Sequence, residues 1–92
     1  MITVDINDKP IQVRFYHDSE AKITECLLID KSSDKEFPLN VVSVSQAMCS
    51  AKDQFRRSVG RKVALYRAIS YLDKPQRKAI WQAYFNKLGK FS

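Results

Sequence analysis

Apolar and polar residues alternate in the first half of the chain, and the step changes in the second. Ile2, Val4 and Ile6 are spaced by two, with Thr3 and Asp5 between them, and Ile11, Val13 and Phe15 resume the same step. A period of two is the mark of half-buried strands. Asn7-Asp8-Lys9-Pro10 separates the two runs. Asn and Asp tolerate left-handed backbone and Pro cannot continue a ladder, so a first hairpin is expected. His17-Asp18-Ser19-Glu20 breaks the alternation. Ile23 to Ile29, with Cys26, Leu27 and Leu28 inside it, reads as a third strand, although its continuity also suits a short helix. Lys31-Ser32-Ser33-Asp34-Lys35 is a polar turn. Phe37 to Val44 holds the β-branched Val41, Val42 and Val44 and predicts a fourth strand, which Pro38 places after itself or at a sheet edge.

Near residue 50 the period becomes helical. Ser50 followed by Asp53 is a capping signature, and Phe55, Val59, Val63, Tyr66, Ile69 and Leu72 fall on one broad side of a helical wheel. Gly60 interrupts that helix at a cost of about 1 kcal/mol relative to Ala. It marks either a break or a close approach to another backbone. Asp73 caps a second helix, with Pro75 in its first turn and Gln76 three residues past the cap. Ile80, Trp81, Tyr84, Phe85 and Leu88 supply its apolar face, and Gly89 stops it. Strands first and helices second predict an α+β fold, an N-terminal antiparallel sheet of about four strands packed against a C-terminal helical hairpin. One domain is expected over residues 1–92, with a strand-rich part at 1–48 and a basic helical part at 49–92.

Charge divides along the same line. The 92-residue chain carries a formal charge of +6. Residues 1–50 hold five Lys/Arg against eight Asp/Glu, whereas residues 51–92 hold eleven against two. Such asymmetry makes a one-sided field that speeds encounter with polyanions. On the first helical wheel, Lys52, Arg56, Arg57, Arg61 and Arg67 occupy the half opposite Phe55, Val59 and Tyr66. Lys62 projects from within the apolar half, where it snorkels to the rim or reaches a partner. Arg77, Lys78, Lys87 and Lys90 carry the basic character onto the second helix. Most charged helix faces are merely solvated. Here acids are nearly absent, so the face cannot be neutralised by pairs within the helix. Guanidinium binds phosphate bidentately and stacks on bases, which suits nucleic acid. The expected partner-binding set is therefore Lys52, Arg56, Arg57, Arg61, Lys62, Arg67, Arg77 and Lys78. Trp81, Tyr84, Phe85, Tyr66 and Phe55 could form a base-stacking platform, but at helical spacing a core role is favoured.

Other chemistry finds little footing. Cys26 and Cys49 lie far apart and the only histidine, His17, is near neither in sequence, so no metal is expected and the thiols read as buried and free. Gly60-Arg61-Lys62 lacks the preceding glycines and following Ser/Thr of a phosphate loop. The carboxylates are scattered without paired spacing, so neither catalysis nor a cofactor is expected. No apolar run approaches a membrane span, and the start of the chain has neither the basic nor the apolar stretch of a signal peptide, so a cytosolic setting is expected.

The segment Cys49-Ser50-Ala51-Lys52-Asp53-Gln54-Phe55-Arg56-Arg57, continuing through Gly60-Arg61-Lys62-Val63-Ala64-Leu65-Tyr66-Arg67-Ala68-Ile69, resembles a stretch of small phage-encoded proteins. In those proteins a similar run precedes a helix like Arg77-Lys78-Ala79-Ile80-Trp81. Small size and a basic face make the chain similar to anti-CRISPR proteins that inhibit the type I-F surveillance complex. That resemblance implies a host-cytoplasmic phage inhibitor whose partner is a complex of Cas proteins and guide RNA. Arg56, Arg57, Arg61, Lys62 and Arg67 would meet guide phosphates, with Lys52, Arg77 and Lys78 at the rim, and pairing of target DNA with the guide would be blocked. The alternative is a general nucleic-acid-binding or regulatory phage protein, and a third reading is a phage accessory protein making protein–protein contacts through its helices.

Overall fold

A computed structural model of the chain describes residues 2–48 and 57–87, without the side chains of Arg57 and Ser58. Its elements are β1 (Ile2–Ile6), β2 (Lys9–Asp18), β3 (Ile23–Asp30), β4 (Val41–Met48), α1 (Arg57–Ala68) and α2 (Lys74–Lys87). The strands form one antiparallel meander in the order β1-β2-β3-β4, and both helices lie against it in the expected α+β arrangement. The capping signature at Ser50 and Asp53, the apolar Phe55 and Leu88, and the stop at Gly89 lie outside the described residues.

Local chemistry explains the hairpins. Asn7 and Asp8 take φ of 53° and 64°, the two left-handed positions of a primed two-residue turn. Pro10 is not in that turn but inside β2, opposite Asp5. Its carbonyl accepts from Lys31 N at 2.9 Å, so its missing donor points to the β3 side and costs the β1 ladder nothing. β2 runs on through His17 and Asp18, where a break was expected. The reversal follows instead at Ser19–Lys22, with Asp18 Oδ1 accepting from the backbone N–H of Glu20 and Ala21. The fourth strand begins at Val41, after Pro38. A turn across the cis Phe37–Pro38 bond holds Glu36 to Asn40, with Leu39 N donating to Glu36 O and Val41 N to Pro38 O. β4 is an edge strand, as Pro38 suggested.

Register assigns the two faces of the sheet. Ile2, Val4 and Ile6 stand beside Ile11, Val13 and Phe15, and these beside Cys26, Leu28 and the β4 serines. This face meets the helices and builds the core with Ala64, Leu65, Ala68, Ile69, Ile80 and Tyr84. Leu27 and Ile29 point the other way and are nonetheless buried. Arg14, opposite Leu27, lies 5.6 Å over the Phe37 ring, so the β3–β4 connection folds across that end of the outer face.

The two helices divide the sheet. α2 packs on β1, and its start follows the capping expectation: Gln76 Oε1 accepts from Asp73 N at 3.2 Å. Gln76 Nε2 also donates to Asn7 Oδ1 at 2.7 Å, pinning the helix to the first hairpin. α1 packs on β3 and β4. Of its expected buried side, Ile69 is buried and Leu72 packs against the core, but the other described residues differ. Val59 and Tyr66 are well exposed and Val63 is at the surface, while the small residues Ala64 and Ala68, with Leu65 and Ile69, face the sheet. Ser45 Oγ donates to Ala64 O, and Ser43 Oγ to Ala68 O at 2.7 Å. Ala68 ends the helix, so its carbonyl is one that no later turn would satisfy.

Gly60 allows this approach. A Cβ there would overlap Thr24 Oγ1 and come within 2.9 Å of Thr24 Cβ. The close neighbour is thus a strand side chain rather than a backbone. Thr24 is fully buried and its Oγ1 is 3.0 Å from His17 Nδ1, so it has little room to yield. Gly→Ala in a helix interior ordinarily gains about 1 kcal/mol. Here the overlap reverses the sign, and Gly60→Ala is expected to lose about 1–3 kcal/mol in urea unfolding, the range for overpacking a core. A more stable variant would show that α1 sits farther from β3.

Candidate nucleic-acid interface

The described helices carry Arg57, Arg61, Lys62 and Arg67 on α1 and Lys74, Arg77, Lys78 and Lys87 on α2, with no acidic residue on either. The packing of α1 scatters its cations. Arg61 shares the packed side with Ala64, Leu65 and Ala68, is half-buried, and its Nε is buried with no hydrogen-bond partner among the described residues. Arg67 leans to the sheet edge, where Nη1 donates to Gln46 O at 2.7 Å. Lys62 leans the other way, toward α2, with Nζ 6.0 Å from the centre of the Phe85 ring. Between Lys62 and Arg67 the outer surface is Val59, Val63 and Tyr66. The single arginine face expected from the wheel therefore does not form among the described residues. Its error lies in the rotation of the helix, because large apolar residues were taken to be the buried ones. Lys52 and Arg56 lie outside the described residues, and Arg57 is described by its backbone alone.

A different grouping takes its place. Lys74, Lys78, Trp81 and Phe85 follow at steps of four, three and four residues, the spacing of one helix side. Lys74 and Lys78 are exposed, Trp81 is half-buried and Phe85 is 47% exposed. Trp81 and Phe85 stack, with centroids 5.6 Å apart and planes at 22°. Beneath them Tyr84 is fully buried and meets Trp81, Phe85 and Phe15 edge-on at 5.7, 5.3 and 6.1 Å. Tyr84 and Ile80 thus anchor α2 in the core and fix the stripe outward, while Lys62 approaches Phe85 from α1. Arg77 is half-buried, on the core side of that stripe. Lys74, Trp81 and Phe85 were absent from the expected binding set. Their signal was two cations followed by two aromatics at one helical spacing, obscured by counting all the aromatics as core.

An ammonium at an exposed ring is held by about 0.5–1 kcal/mol, and 6.0 Å is the outer limit of that interaction. Lys62 is therefore free to leave Phe85 for a phosphate. Lysines flanking an aromatic pair, with no carboxylate on either helix, form a surface suited to a phosphate backbone with exposed bases.

Other groups offer less. A groove of about 240 Å³ on the sheet is lined by Tyr16, His17, Asp18, Ile23, Glu25 and Gln46. Its carboxylates are engaged: Asp18 by the turn that follows it, and Glu25 by the Gln46 amide at 3.0 Å. Among the described residues no three His, Cys, Asp or Glu side chains gather as a metal site, and no helix is long and apolar enough to cross a membrane. The fold and surface define an α+β protein with a basic-aromatic helix flank. Comparisons of the chain with protein-family models, with curated proteins and with solved structures return no match.

Cys26 is fully buried, and burial pushes its thiol up to about 12. An acid whose folded pKa exceeds its unfolded value gives stability that is complete below the unfolded pKa and is lost as pH rises toward the folded one. With Cys49 replaced by Ser, the native protein is expected to resist thiol reagents at pH 8 and react on unfolding, and its stability to fall between about pH 9 and 12. Fast native labelling at pH 8 would contradict the burial.

Proposed function

We propose that the chain is a non-catalytic binding protein that docks a nucleic-acid-bearing partner on the flank of α2. Lys62, Lys74 and Lys78 meet phosphate, while Arg67 and Arg77 add to the field around them. The observation that carries this reading is the outward stripe Lys74–Lys78–Trp81–Phe85 beside Lys62, on two helices that lack any acid. In the form that the sequence resemblance implies, the partner is a type I-F surveillance complex of Cas proteins and guide RNA. The bound chain then occludes the guide and prevents target DNA from pairing. Acting without CRISPR machinery, the same surface would serve a general nucleic-acid-binding protein. The two forms separate on one comparison: the inhibitor binds the complex far more tightly than naked RNA, whereas the general binder does not.

Protein contact is favoured by one separate observation, the exposed Val59, Val63 and Tyr66 on the outer side of α1. A partner held there is insensitive to salt. Phosphate binding is not, because each contact releases counterions.

The packing changes which residues test the idea. Arg61→Glu would put a carboxylate against the sheet and confuse unfolding with lost binding. Lys62 and Lys78 reach the surface and are better probes. With three phosphate contacts, single-strand affinity is expected to fall about twentyfold between 50 and 200 mM salt, from a slope of about −0.7 per contact. Lys62→Glu with Lys78→Glu should weaken binding at least tenfold at low salt and leave cooperative unfolding intact. If the double variant binds or inhibits like the parent, the α2 flank is not the interface.

A further inference from the structure

Resting on that reading of the α2 flank, we infer that Phe85 is a stacking platform for an unpaired nucleobase, so that the surface selects single-stranded over duplex nucleic acid. Phe85 is a large aromatic side chain left 47% exposed among cations, although Tyr84 beside it is fully buried. One of its faces lies on Trp81 at 22°, and Tyr84 abuts it at 82°. These two contacts fix the orientation of the ring, so a base landing on the remaining face orders little that is not already ordered. Lys62 stands 6.0 Å from the ring centre, and Lys78 and Lys74 lie one and two turns behind Trp81. A base on Phe85 thus places its own phosphate near Lys62, with further phosphates following the lysine row. The ammonium at the limit of cation–π distance yields to the base and takes the phosphate.

Charge and geometry together choose this occupant. The cationic surround disfavours a basic peptide, and an acidic peptide would leave the ring unused. In a duplex the base faces are already stacked inside the helix, so the lysines would find phosphate but Phe85 would find no partner. Every base has a π-face, so the platform tolerates sequence while rejecting paired strands.

Trp81 is the only tryptophan of the chain, which supplies a direct readout. Fluorescence titrations with oligo(U) and with a duplex of equal length should show tighter binding of the single strand. Trp81 emission should change for the single strand and stay nearly constant for the duplex. Phe85→Ala should weaken single-strand binding about tenfold and duplex binding less than twofold, the range for loss of one stacked base. Phe85→Trp should restore the preference and Phe85→Leu, which keeps bulk, should not. Circular dichroism checks that each variant folds. Equal binding of both nucleic acids, or single-strand affinity unmoved in the folded Leu variant, overturns the stacking role while leaving the lysine contacts standing. Absence of any binding to either overturns the platform, and the flank reading falls with it if the charge-reversed lysine variant also inhibits the surveillance complex like the parent.

Discussion

The close seating of Gly60 on Thr24 sets the rest of the molecule. A helix approaches a sheet this nearly only where its facing residues are small, and α1 offers Gly60, Ala64 and Ala68 at steps of four. At that distance the hydroxyls of Ser43 and Ser45 reach helix carbonyls. A side built on Val59, Val63 and Tyr66 would hold the helix farther off and forfeit both bonds. The helix therefore turns its larger side chains outward and draws Arg61 partly inward. This rotation sends Lys62 and Arg67 to opposite sides of α1.

The second helix answers to a different anchor. Tyr84 is buried against Phe15, and Gln76 ties the first turn to Asn7. With those positions held, the stripe from Lys74 to Phe85 has nowhere to go but outward. Lys62 reaches it from α1, so the candidate interface is a product of both helices and of neither alone. Long-range charge acts on top of this geometry. The acidic strand half and the basic helical half make the molecule a dipole that presents its helices first to a polyanion.

At the other end of the sheet, β4 carries neither charge nor proline along its length, although these are common means of protecting an edge. Arg67 covers part of that edge by taking the Gln46 carbonyl. A cation expected to serve a partner is thus partly spent on the protein's own backbone. The outward Val44 and Met48 remain exposed, whereas Leu27 and Ile29 are buried on the same outer face. Its covering is concentrated where the Arg14–Phe37 contact closes over it.

Much of the fold was legible in the sequence because its determinants are local. Alternation marked the first two strands, a continuous apolar run open to a helical reading marked the third, Asn7-Asp8 marked the first hairpin, and Asp73 with Gln76 marked the start of α2. Pro10 reads as a turn residue yet lies inside β2, because whether a missing N–H matters depends on which way it points in the finished sheet. The candidate site was less legible. The sequence determined that the helical half is basic and nearly free of acids, and that α2 spaces cations and aromatics on one side. Only the tertiary structure decided which side of α1 is buried, because small and large residues both satisfy an apolar stripe on a wheel. The choice between them turns on how closely Thr24, Ser43 and Ser45 let the helix approach.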